Sequence, residues 1–72
     1  MDYIDQRFKE GEEVKCIFWP NGEGCLVGRN GVEKITVVME DGQMSGVPWF
    51  AVWKDGEVNA KYNGAMIEGV EV

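Results

Sequence analysis

Five Asn-Gly or Asp-Gly dipeptides punctuate the chain: Asn21-Gly22, Asn30-Gly31, Asp41-Gly42, Asp55-Gly56 and Asn63-Gly64. Both residues of each dipeptide tolerate the positive φ angles that a type I′ turn demands, so each reads as a tight reversal between antiparallel strands. Successive dipeptides stand 9, 11, 14 and 8 residues apart, which leaves room only for short strands. The pattern predicts strands near 12–19, 24–29, 32–40, 43–53, 57–62 and 65–71. The expected fold class is therefore all-β, a small barrel or two-sheet meander of about six short antiparallel strands. A short helical turn over 2–10 is expected to precede them. Asp2 is an acceptable N-cap for it, Ile4 and Phe8 share a face, and Gly11 can end it. Phe8 is then placed to close one end of the core.

A two-residue loop at each dipeptide fixes a trial register, and each register is tested by whether paired residues agree in polarity. Around Asp55-Gly56, Trp49 falls opposite Tyr62, Ala51 opposite Ala60, and Trp53 opposite Val58. Around Asn63-Gly64, Tyr62 meets Ala65 and Ala60 meets Ile67. The face carrying these residues is apolar throughout and is the expected core. The opposite face carries Phe50, Val52, Met66 and Val70 among Asn59, Lys61 and Glu68. An apolar cluster in such a polar setting is a contact-site candidate.

Earlier in the chain, Leu26 pairs with Ile35 across Asn30-Gly31, and Ile35, Val37 and Met39 face Met44 and Pro48 across Asp41-Gly42. Those partners are even-numbered, whereas the core set from Trp49 onward is odd-numbered. Side chains alternate strictly along a strand, so the phase must change between them. Gly46 and Pro48 are the natural place, since glycine suits a bulge and proline cannot sit in a central ladder. A bend there would carry the chain from one sheet to a second.

The opening Phe8-Lys-Glu-Gly11-Glu-Glu-Val14 and the later Ile35-Thr-Val-Val-Met-Glu-Asp-Gly42 resemble SH3-like barrel domains. In those, a glycine turn precedes the first strand and a strand ending in Asp-Gly lies mid-domain. The resemblance spans about half of the chain and implies a fold only, with no functional family and no site residues.

A chain of 72 residues makes one domain over 1–72 with one small core. Its net charge is −6 and its pI about 4.4. Seven scattered Lys and Arg make a poor grip on phosphate backbones, which disfavours direct nucleic-acid binding. No apolar run reaches the roughly 20 residues that span a bilayer, and no basic-then-apolar leader is present. The expectation is a cytoplasmic protein that binds no membrane.

Candidate chemistry is sparse. There is no His, which removes the commonest general base and metal ligand. Cys16 and Cys25 fall on one face as diagonal neighbours in the trial register, although Pro20 is placed to lengthen that turn and move them. Buried reduced thiols are the favoured reading and a disulfide the alternative. Zinc is disfavoured, because two thiols supply only half of a usual ligand set. Gly22-Glu-Gly24-Cys-Leu-Val-Gly28 has the wrong spacing and context for a dinucleotide fingerprint and reads as turn chemistry. No cofactor is expected. Ser45 has no evident base, so catalysis is the least favoured class. Trp19, beside Pro20 at the mouth of the first hairpin, is hard to bury there and is a candidate recognition anchor.

The expected function is a non-enzymatic protein-interaction module, a small bacterial or phage (mobile-element) protein that self-associates or binds a protein partner. The partner-binding candidates are Trp19, Phe50, Val52, Met66 and Val70. Two alternatives stay open: an oligomer that binds a nucleotide-like small molecule, and an acidic mimic of nucleic acid.

Overall fold

The computed structural model describes residues 8–38 and 48–72. The proposed helical turn falls mostly on residues outside that range, as do Asp41-Gly42 and Gly46. Among the described residues the chain forms seven strands and one 3-10 turn. The strands are β1 (Glu13–Val14), β2 (Cys16–Phe18), β3 (Gly24–Leu26), β4 (Lys34–Val38), β5 (Trp49–Lys54), β6 (Glu57–Asn63) and β7 (Gly69–Glu71), and Gly64–Met66 make the 3-10 turn. Two antiparallel sheets result, ordered β1-β4-β5-β6 and β3-β2-β7.

The chain crosses between sheets at Lys15. Val14 pairs with Ile35 in the first sheet, whereas Ile17 pairs with Cys25 and Val70 in the second. Val14 and Ile17 are both buried in the same core cluster, yet they stand three residues apart, which strict alternation forbids within one strand. The bend at Lys15 resolves this. Its N–H donates to the Glu71 carbonyl at 2.8 Å and its carbonyl accepts from Val27 N–H at 2.9 Å, so the corner is itself tied into the second sheet. The sheet change expected at Gly46-Pro48 is thus found here.

The core is the reverse of the face expected in β5. Phe50 is 0% exposed and Val52 3%, and both pack with Ile35 and Val37 from β4. The β4–β5 register explains it: Ile35 lies opposite Val52 and Val37 opposite Phe50. Odd residues of β4 thus share a face with even residues of β5, and no phase change between them is needed. Trp49 and Trp53 point to the outer face of the sheet. There Trp53 Nε1 donates to Thr36 Oγ1 at 2.9 Å and Lys34 Nζ sits 4.4 Å from the Trp53 ring centre. The hydrogen bond holds the Trp53 side chain beside Thr36, which is only 8% exposed although it lies on the outer face. Trp49 Nε1 is buried and has no acceptor among the described residues.

The expected pairing of β5 with β6 is correct for its first step and slips thereafter. Trp53 pairs with Val58, as a two-residue loop dictates, but Val52 then pairs with Ala60 and Phe50 with Tyr62. Asn59 is the extra residue of a bulge. Beyond it every β6 side chain is displaced by one position, which is why Tyr62 turns toward the Phe50 face rather than the Trp49 face.

The Asx-Gly dipeptides serve three different purposes. Asn30 (φ 55°) with Gly31 (φ 81°), and Asp55 (φ 55°) with Gly56 (φ 80°), have the two positive φ angles of type I′ turns. Only the second joins paired strands; Leu26 pairs with Cys16, not with Ile35. At the first hairpin, Trp19 N–H donates to the Glu23 carbonyl at 2.8 Å, leaving Pro20, Asn21 and Gly22 as a three-residue loop. Asn63-Gly64 is not a hairpin at all. Asn63 is extended (φ −67°) and its Oδ1 caps the 3-10 turn by accepting from Ala65 N–H at 2.8 Å. The following strand leaves β6 and pairs with β2 instead. Phe8 packs edge-on against Phe50, ring centres 5.9 Å apart, and so covers part of the core.

Candidate functional site

The two sheets are joined on one side by the bent β1–β2 segment, while no ladder joins their outer strands β3 and β6. Along that seam lies an open cleft of about 370 Å³, lined by Trp19, Asn21, Glu23, Gly24, Cys25 and Tyr62. The first five come from the β2–β3 hairpin and the last from β6.

Each wall has a local cause. Tyr62 faces inward opposite Phe50 but stands on the outermost strand, so its ring reaches past the core and remains 36% exposed. Trp19 follows β2 at the hairpin mouth and is half-buried. The two rings meet at 84°, centres 5.0 Å apart, the edge-to-face geometry that the aromatic quadrupole favours. The hairpin tip is held by Asn21 Oδ1, which accepts from Glu23 N–H at 2.9 Å. Gly24 and its neighbours form the strand beneath. The hydrogen-bonded pairs on either side, Trp19 with Glu23 and Lys15 with Val27, leave the N–H and C=O of Gly24 pointing away from β2, off the open edge.

Cys25 closes the inner end of the cleft. It faces the same side as Ile17, while Cys16 is on the opposite side of β2, and both are free thiols. The three-residue loop at Pro20 is what separates them. Burial pushes the Cys25 thiol up, with the charge of Lys54 partly opposing. Burial raises Cys16 as well, helped by the negative fields of Glu71 and Cys25. Both stay protonated at neutral pH and are poor nucleophiles there. No group of three or more His, Cys, Asp or Glu among the described residues is placed to hold a metal, and no described helix is long and apolar enough to cross a membrane.

The structure separates the five residues singled out as a contact surface. Trp19 is in the cleft. Phe50 and Val52 are core and cannot touch a partner. Val70 faces inward beside Ile17 and packs on the core cluster. Met66 lies in the 3-10 turn and is 65% exposed. The four do not form one exposed face: the β4–β5 register turns Phe50 and Val52 into the core, Val70 packs on that core from the second sheet, and Met66 alone of the four is largely exposed. Tyr62, Glu23 and Gly24 were not expected at a site. Pro20 was the available signal for the hairpin, since a longer loop opens its mouth; nothing in β6 announces the bulge that brings Tyr62 there.

Comparison with protein-family models, with curated proteins and with solved structures finds no match.

Proposed function

We propose that the protein is a non-enzymatic interaction module that holds a segment of a basic protein partner in the cleft between β3 and β6. The observation that carries this is the perpendicular Trp19–Tyr62 pair, partly exposed in an open cleft on a chain of net charge −6. Trp and Tyr dominate interface hot spots because they bury large rigid area at low entropic cost. An acidic surface speeds encounter with a basic partner. The strand edges on both sides of the cleft offer backbone groups to an extended segment. The thiol that lines the cleft, Cys25, is raised and protonated, and no acid–base pair is evident among the described lining residues, which favours binding over catalysis. A bacterial or phage cytoplasm is the setting this reading assigns.

The test is capture from a host lysate by the wild-type protein and by Trp19→Phe and Tyr62→Ala variants of verified fold. A polypeptide retained by the wild type and lost from both variants is the expected result. Equal retention by all three proteins would set the reading aside.

A second reading, self-association, is favoured by one observation. Phe18 and Leu26 lie on the outer face of the second sheet and are both exposed. Light scattering behind size exclusion separates the two readings: a dimer dispersed by Leu26→Asp supports self-association, and a concentration-independent monomer removes it.

A further inference from the structure

We infer that the cleft recognises an arginine side chain of the partner, its guanidinium lying against the Trp19–Tyr62 corner and pairing with Glu23. This rests on the interaction reading above and assigns the chemistry of that same site.

Two rings at 84° with centres 5.0 Å apart form an inside corner. Aromatic faces carry partial negative charge and attract a cation held within about 6 Å of the ring centre. The lining adds the acidic residue Glu23 and, among the described residues, includes no Lys or Arg. The positive charge of Lys54 is felt at Cys25. Gly24 presents a carbonyl off the open strand edge beside Glu23. A flat ring wall, a carboxylate and a carbonyl make up a set of acceptors that a planar group with several N–H donors can satisfy together. Guanidinium is such a group: it stacks on aromatic faces, forks its donors toward carboxylates and gives up water more readily than ammonium does. Lysine offers a compact, strongly hydrated charge that uses the ring wall less well. A cleft of about 370 Å³ is also roomier than an ammonium head needs.

The same tryptophan packs against the core cluster, so Trp19→Ala risks unfolding the protein. Glu23→Gln is the safer probe, because Glu23 is exposed and its hydrogen bonds in the hairpin use its backbone N–H and carbonyl.

The experiment is an NMR titration of the full chain with three end-blocked peptides, Gly-Ser-Arg-Ser-Gly and its lysine and citrulline counterparts. The arginine peptide is expected to shift the Trp19 indole N–H and the Gly24 amide saturably. The affinity for citrulline, which keeps the shape and loses the charge, is expected to be about tenfold lower, with lysine between the two. Glu23→Gln is expected to weaken arginine binding by roughly three- to tenfold, with no change in the resonances of Phe50 or Val52. Equal binding of arginine and citrulline, shifts confined to other surfaces, or an unaffected Glu23→Gln variant would each overturn the assignment. If a Trp19-dependent partner is captured but neither the arginine peptide nor Glu23→Gln alters its binding, the arginine site falls and the interaction module stands. If the peptide binds as described and no polypeptide depends on Trp19, the arginine site stands and the module falls.

Discussion

Phe50 and Val52 carry the stability of the first sheet. Phe50 is fully enclosed and touches Phe8 as well as the β4 residues, so its removal leaves a large cavity. Phe50→Ala is expected to cost about 3–5 kcal/mol, enough to leave a domain of this size largely unfolded at 25 °C, as read by denaturant titration. Val52→Asp should do the same, by burying an unpaired carboxylate. A folded Val52→Asp protein would contradict the placement of that strand. Cys16 makes a gentler probe at the same scale. Its folded-state thiol is raised, chiefly by burial, so the native state holds its proton more tightly than the unfolded chain does. That contribution is fully present below the unfolded thiol pKa of roughly 8.5 and is lost as pH climbs through the raised native value. The denaturation midpoint is expected to fall above about pH 8.5, and to fall less in Cys16→Ala, which cannot ionise. Alkylation should mark Cys25 first, because Cys16 is only 2% exposed.

At the scale of elements, the turns divide by backbone geometry, although their sequences look alike. Gly56 sits at φ 80° in a type I′ turn, and its N–H donates to Glu33 Oε1 at 3.0 Å. Gly56→Ala forces a Cβ into that conformation and is expected to cost about 1–2 kcal/mol. Gly24 is different, since its φ is ordinary and the obstacle is space. A Cβ there would stand 3.1 Å from Phe18 Cδ1 and 3.2 Å from the Ile17 carbonyl. The ring can turn aside but the backbone oxygen cannot, so Gly24→Ala should loosen the β2–β3 hairpin and lower thermal stability. Asn63→Ala removes the cap of the 3-10 turn and is expected to cost about 1 kcal/mol, with the β5–β6 ladder intact. Thermal unfolding by circular dichroism checks all three.

At the scale of the molecule, the alternation of apolar residues and Asx-Gly turns made the all-β class and the short strands legible in the sequence. Which face is inside was not legible. Trp49, Ala51 and Trp53 look like a core, but tryptophans can also sit on an outer face, and here Trp53 bonds to Thr36 there. The deciding facts were non-local. A bulge at Asn59 and a bend at Lys15 carry no strong residue signature, since both are set by how the two sheets must close over one small core. The candidate site was visible only through Trp19. Tyr62 reaches it because the bulge reverses its facing, and Glu23 because the hairpin loop has three residues rather than two. Sequence spacing thus located the turns, while packing decided what they present.

The proposed binding surface is the seam between β3 and β6. Amide hydrogen exchange of the protein alone and in complex with its captured partner tests this directly. Added protection is expected at residues 19–25 and 60–63, with the outer face around Trp49 and Trp53 unchanged. Protection confined to that outer face or to residues 64–72, with the hairpin tip exchanging as before, would contradict it.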